Sequence, residues 1–290
     1  MDLKHTPGFS SLMREYGKQT CSVEAIDINV PSEDTVTDTV KAVSAFLHTP
    51  QNHIREQHEG TEKTGAILLS GAGGGVVGPS SIYLSIADKL ACLRRGLPVM
   101  RLDYRYMYSA RNDCCVSDVL AAMRYLQNGC AISRFVLVGW SFGSAPVFTV
   151  GGQDERVVGC ATIAGQTAET DGIRQVARRN VPTVLLHGTG DRTLSPGCSE
   201  WLQEKYQRST QGGQCELKLF DGDDHALTKS ALKAEELLCE FIVAQAGEEI
   251  DELEHESESV VQRSLFDGLD GQQRRENMKR AGDLYGESIE

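Results

Sequence analysis

Five short, nearly continuous apolar runs constrain this 290-residue chain more than any other feature. They are Ala66-Ile67-Leu68-Leu69, Val99-Met100-Arg101-Leu102, Phe135-Val136-Leu137-Val138, Val157 to Ile163, and Val184-Leu185-Leu186. A strand with one face in water alternates apolar and polar residues, whereas a strand covered on both faces does not. The runs are therefore read as strands buried on both sides. Helical periodicity fills the gaps. Ile82, Ile86, Leu90 and Leu93 fall on one helical face, and Val116, Val119, Leu120, Met123 and Leu126 on another. Strands alternating with helices imply an α/β fold: a mostly parallel, doubly wound sheet with helices on both faces.

Two strand-like segments precede the runs. Val23 to Val30 (V-E-A-I-D-I-N-V) alternates apolar and polar residues, and Val40 to Leu47 (V-K-A-V-S-A-F-L) follows, with Pro50 just beyond. Gln51 to Thr64 is polar and is read as a surface loop. Its His53 and His58 lack a third ligand at matching spacing, so solvated histidines are expected rather than a metal site. After the runs, Leu217 and Leu219 alternate with Glu216 and Lys218, as suits a strand near the sheet edge, and Leu227 to Ala244 is read as a closing helix. The expected organisation is an N-terminal extension over residues 1–22, an α/β domain over 23–246 and an acidic tail over 247–290. From Ala246 onward thirteen Asp or Glu face five Lys or Arg, so eight of the twelve net negative charges lie there. Like charges this dense oppose packing, and a flexible tail is expected.

The charge also narrows the function. A body this mildly acidic offers no general basic field, so nucleic-acid binding is not expected. No run of about 18 apolar residues exists, so no membrane span is expected. The polar stretch from Met1 to Thr20 lacks the apolar core of a secretory signal. Nine cysteines, none in a C-x-x-C pair, fit reduced thiols in a cytoplasmic protein, the neighbours Cys114 and Cys115 included.

Chemistry enters at Gly139-Trp140-Ser141-Phe142-Gly143, directly after the run Phe135 to Val138 and before a helical stretch, Ser144 to Val150. Pro146 falls in that helix's first turn, where its missing N–H costs nothing. Ser141 thus sits at a strand-to-helix turn, the context of a nucleophile elbow. Residues two before and two after such a serine come too close for large side chains, and both are glycine here. An activated serine needs a base, and the base an orienting acid. Leu185-Leu186-His187-Gly188-Thr189-Gly190-Asp191 places Asp191 just past a strand, and Phe220-Asp221-Gly222-Asp223-Asp224-His225 places His225 past the next. In a parallel sheet all three lie beyond the carboxyl ends of strands and can converge. His187 is expected to pack under the loop. Asp223 and Asp224 adjoin His225 too closely to reach its far nitrogen, which leaves Asp191 as the acid.

The strings G-W-S-F-G, H-G-T-G-D and G-D-D-H-A, in the order Ser, Asp, His, resemble the α/β-hydrolase superfamily, nearest to dienelactone-hydrolase-like and serine-aminopeptidase-like members. The resemblance covers roughly Val23 to Ala244, and Leu102-Asp103-Tyr104-Arg105 resembles the stretch after the family's fourth strand. It implies a catalytic triad of Ser141, Asp191 and His225. It also implies an oxyanion hole of two backbone N–H groups, from Phe142 and from the loop after Ala66 to Ser70. That loop begins His-Gly in the family but reads Ser70-Gly71-Ala72-Gly73-Gly74-Gly75 here, and the second donor is assigned to Ala72 ahead of Gly71. Only twenty residues separate Ile163 from Thr183, room for one helix (Asp171 to Arg179) and no sizeable cap domain. An open site fits small esters, thioesters or short peptides, with Trp140 either walling the acyl pocket or packing against helices.

The expected function is that of a serine hydrolase, carboxylesterase-like, acting on a small-molecule acyl substrate through an acyl-enzyme, with no metal and no organic cofactor. Two other readings compete. Gly73-x-Gly75-x-x-Gly78 after a strand, with Asp103 twenty-five residues on, has the form of a dinucleotide fingerprint and would make the chain an oxidoreductase. However, that fingerprint usually opens its fold, and it leaves the Ser-Asp-His series unexplained; Asp103 is then a structural residue near the site loop. The chain could also be an inactive scaffold or receptor of the hydrolase fold, a reading that the presence of all three triad residue types opposes.

Overall fold

Three strands between Arg14 and Pro50 build one wing of a sheet. β1 (Arg14–Tyr16), β2 (Gln19–Val30) and β3 (Lys41–Pro50) follow one another as an antiparallel series. The structure, a computed structural model, describes residues 14–16, 19–30, 41–51, 53, 62–73, 75–93, 95–105 and 112–247. The expected acidic tail beyond Gly247, along with His58 and Gly74, lies outside the described residues.

The five apolar runs become β4 (Thr64–Leu69), β5 (Val99–Leu102), β6 (Arg134–Trp140), β7 (Val157–Ile163) and β8 (Thr183–Gly188). A last strand, β9 (Cys215–Phe220), closes a nine-stranded sheet of order β1-β2-β3-β5-β4-β6-β7-β8-β9 among the described residues. From β5 through β9 every pairing is parallel, and only the N-terminal wing is antiparallel. Every residue of β4, β5 and β8 is buried, as two-sided covering requires, whereas β9 at the sheet edge mixes half-buried and exposed positions, with Leu219 exposed beside Lys218.

Helices cover both faces. On one lie α1 (Ile82–Ala91) and, at the end of the chain's described part, α6 (Ala231–Ala246), packed on Ala66, Leu68, Val136, Val138 and Leu186. On the other lie α2 (Asn112–Cys130), α3 (Ser144–Gln153), α4 (Ile173–Arg178) and α5 (Gly197–Gln207), packed on Ile67, Leu69, Leu137 and Leu185. Residues i and i+1 of one strand thus feed two separate cores, which explains why the runs carry no alternation. Only α4 occupies the space between β7 and β8, so no sizeable cap domain is present there. Among the described residues no helix is long and apolar enough to cross a membrane. All nine cysteines are free thiols.

Three details differ from the sequence reading. β2 begins at Gln19, four residues before Val23, and β1 pairs with it, so residues from the expected N-terminal extension belong to the sheet. The reason is register: Cys21 and Ser22 stand opposite Pro50 and Thr49, so a longer β3 draws a longer partner. The closing helix starts at Ala231 rather than Leu227. His53 is not a solvated loop residue. It is half-buried, with Nε2 2.7 Å from the Cys130 carbonyl oxygen.

Arg101, the one charge inside the β5 run, is fully buried. Its guanidinium lies 4.8 Å over the Phe46 ring, Nε donates to His48 Nε2 at 3.0 Å, and Nη1 donates to the Val76 carbonyl at 2.9 Å. The last bond fastens the glycine-rich loop after β4 to the sheet.

Candidate active site

Ser141 directly follows β6 with φ +53°, in the left-handed region that residues with a Cβ rarely adopt. Such strain persists only where the surroundings enforce it. Here a single 3-10 turn, Ser141–Gly143, turns the chain from β6 into α3. The buried Ser144 hydroxyl donates to the Ser141 carbonyl at 2.8 Å and accepts from the Gln166 N–H at 3.1 Å, tying the turn to the loop after β7. The two flanking glycines are steric requirements. A Cβ on Gly139 would land on the Gly143 carbonyl, and one on Gly143 would lie 2.7 Å from the Ser70 carbonyl oxygen and 3.0 Å from that of Leu69. Gly143 itself has φ −56°, which alanine adopts freely, so the obstacle there is purely the close approach of β4. We expect Gly143→Ala to cost roughly 1–3 kcal/mol. That is a fall in melting temperature on the order of 5 °C. A variant that melts with the wild type would refute this close approach.

Asp191 lies just past β8 and His225 past β9, and the fold joins them. His225 Nδ1 stands 2.7 Å from Asp191 Oδ2, with the Asp191 side chain fully buried and the imidazole 18% exposed. The other carboxylate oxygen accepts the Thr193 and Leu194 N–H groups at 2.7 and 2.9 Å. His225 is also held from the elbow. The Trp140 indole N–H donates to the His225 carbonyl at 3.1 Å, and the two rings lie 5.6 Å apart. Trp140 therefore braces His225, a contact that the sequence reading did not name. Among the described residues no hydrogen bond joins Ser141 Oγ to His225. Such bonds are commonly long without substrate and close only in the complex.

The neighbouring acids have other work. Asp223 accepts the N–H groups of Asp224, Lys229 and Ser230. Burial works against its charge, but these donors hold its carboxyl below the usual range. Asp224 Oδ1 accepts the Ala226 and Thr228 N–H groups. His187 packs under the loop, fully buried, and also reaches Asp191 Oδ2 from Nε2 at 3.1 Å, a contact that no spacing rule foretold.

Phe142 follows Ser141, its buried ring edge-on to Tyr104 at 6.0 Å. Ala72 sits on an exposed turn two residues after Ser70, whose carbonyl meets the elbow at Gly143. The glycine loop is held by Asp103, which accepts the Gly75 N–H at 2.8 Å. The carboxylate that a dinucleotide reading gives to a ribose is thus engaged by Gly75 of the loop itself, and burial pushes it up from its ordinary value.

Among the described residues one group, Cys21, His48 and Asp88, has ligand atoms close enough to share a metal, all within 4.8 Å and buried. Its hydrogen bonds favour a metal-free cluster. Arg101 can only donate, so His48 Nε2 accepts and Nδ1 donates to Asp88 Oδ1 at 2.9 Å. A hydrogen bond with Cys92, then burial, push the Cys21 thiol far up.

No family model and no curated protein matches the sequence. Solved structures do match in shape. Est1E from Butyrivibrio proteoclasticus superposes with a TM-score of 0.55 at 15% identity, over 77% of this chain and 99% of that one. The chain has the α/β-hydrolase fold. The esterase Pf2001 of Pyrococcus furiosus gives 0.56 at 16% identity, over 77% of this chain and 94% of that one. XC6422 from Xanthomonas campestris, described as an α/β serine hydrolase without lid, gives 0.53 at 14% identity, over 77% and 94%. β6, the strand that leads into Ser141, lies inside the parallel part of the sheet, between β4 and β7.

Proposed function

We propose that the protein is a serine hydrolase of carboxylic esters. The observation that carries this is the 2.7 Å bond between His225 Nδ1 and buried Asp191, beside a serine held at φ +53°. With Nδ1 committed to Asp191, the free nitrogen of His225 is Nε2, the atom a base presents to the nucleophile. His225 takes the Ser141 hydroxyl proton as Oγ attacks the ester carbonyl. The backbone N–H groups of Phe142 and Ala72 receive the negative oxygen. Collapse of the tetrahedral intermediate expels the alcohol, which leaves with the proton from His225. Water, deprotonated by the same imidazole, then attacks the acyl carbonyl, the bond to Ser141 Oγ breaks as His225 returns the proton to that oxygen, and the acid is released. Asp191 keeps the imidazole in one tautomer and stabilises its charged form.

The short link between β7 and β8 leaves the site open, which suits small acyl groups. Est1E has been solved with ferulic acid bound, so the ester panel for this chain runs from acetate to hydroxycinnamate esters. A fluorophosphonate probe is expected to add to Ser141 alone, as read by peptide mass. A chain that neither labels nor hydrolyses any member of the panel is instead an inactive member of the fold.

A further inference from the structure

The Asp191 carboxylate sits between two imidazoles, and only one belongs to the proposed triad. His187 Nε2 lies 3.1 Å from Asp191 Oδ2, the same oxygen that His225 Nδ1 reaches at 2.7 Å. His187 Nε2 also lies 3.1 Å from the Leu194 carbonyl oxygen. Carboxylate and carbonyl can only accept, so His187 Nε2 carries a proton and shares it between them. Its Nδ1 stands 2.7 Å from Ser199 Oγ, a fully buried hydroxyl in the first turn of α5. A neutral ring protonated at Nε2 accepts from that hydroxyl through Nδ1. Every polar atom of the buried pair is then satisfied with one arrangement of protons.

We propose that His187 is a positioning residue for the triad: a neutral Nε2–H imidazole, backed by Ser199, that anchors the Asp191 carboxylate and tempers the basicity of His225. This rests on the reading of His225 as the base. Asp191 then receives four donors, the Thr193 and Leu194 N–H groups on Oδ1 and the two histidines on Oδ2. The lone pairs are shared out, and the carboxylate cannot turn away from His225. Hydrogen bonds to a charged carboxylate spread its charge, so less is left to stabilise a protonated His225. Burial pushes the His187 imidazole below its ordinary value, which keeps it neutral beside a histidine that must gain and lose a proton. The other titratable groups nearby do not compete. The Cys198 thiol is pushed up by burial, Asp223 and Asp224 are engaged by backbone N–H groups, and Lys229 Nζ donates to the Gly222 carbonyl.

His187→Leu removes the donor, and His187→Gln places an amide N–H near the lost Nε2. His187→Leu is expected to lower kcat roughly tenfold, the scale typical of outer-shell partners, with KM within about twofold. The acid limb of kcat/KM moves to higher pH, because Asp191 concentrates more charge on His225. His187→Gln should restore both to near wild type. The same shift is read without turnover by 15N NMR titration of His225, so a failed hydrolase reading remains distinguishable. If His187→Leu leaves the His225 titration where the wild type has it, the proposal is overturned. Should that variant not fold, the wild-type spectrum decides. His187 must stay a neutral Nε2–H ring throughout the His225 transition, and a His187 that titrates with His225 overturns the proposal equally.

Discussion

Ser141→Ala should abolish ester hydrolysis, with a loss on the order of a millionfold in kcat. The fold should survive, because the substitution removes one half-exposed hydroxyl that makes no hydrogen bond among the described residues. Alanine meets the same left-handed backbone at φ +53° that serine does, so the strain of the turn is unchanged and the melting temperature should stay within a degree or two. Fluorophosphonate labelling should vanish together with turnover of p-nitrophenyl acetate. The two losses belong together only if Ser141 is the nucleophile. A variant that keeps most of a robust wild-type rate would remove Ser141 from the chemistry and leave the turn as a structural device.

The parallel half of the sheet was legible because burial on both faces leaves a strand few polar positions and no polar/apolar alternation. β4, β5 and β8 have none exposed, and their sequences could form nothing half-solvated. Arg101 in β5 broke that rule, and its reason lay in space: Phe46, His48 and Val76 come from other strands and loops. The beginning of the sheet was hidden for the opposite reason. Gln19 to Ser22 carries little apolar signal, and its strand is dictated by the partner ladder at Thr49 and Pro50. At the site, Ser141, Asp191 and His225 could be found one by one because each follows a strand end. What joined Asp191 to His225 was the fold, 34 residues of separation closing to a 2.7 Å contact. His187 could be placed under its loop but not given a partner. The proton on its ring is decided by Leu194, Asp191 and Ser199, and no periodicity encodes a tautomer. The Ser144 bridge to Gln166 was likewise unreadable, since a serine in a helix's first turn usually satisfies its own backbone.

Asp191→Asn is the sharper test of the arrangement, because it changes one atom and leaves the shape. The Asn carbonyl oxygen should take the Oδ1 place, where the Thr193 and Leu194 N–H groups require an acceptor. The NH2 group is then forced into the Oδ2 place, facing His225 Nδ1 and His187 Nε2. His187 can still donate to the Leu194 carbonyl, so that ring keeps its proton. Among the described residues His225 Nδ1 has no partner but Asp191: it must accept from the amide, and its proton moves to Nε2. A base protonated on the nitrogen that faces the nucleophile cannot take the hydroxyl proton. The expected loss is about ten-thousandfold in kcat at neutral pH, by the same tautomer logic that governs other Ser-His-Asp sites. KM should change little, because no substrate contact is touched, and 15N NMR should find His225 in the Nε2–H form. If Asp191→Asn retains activity within tenfold of wild type, or leaves His225 protonated at Nδ1, then Asp191 does not set the tautomer and the orienting acid lies elsewhere.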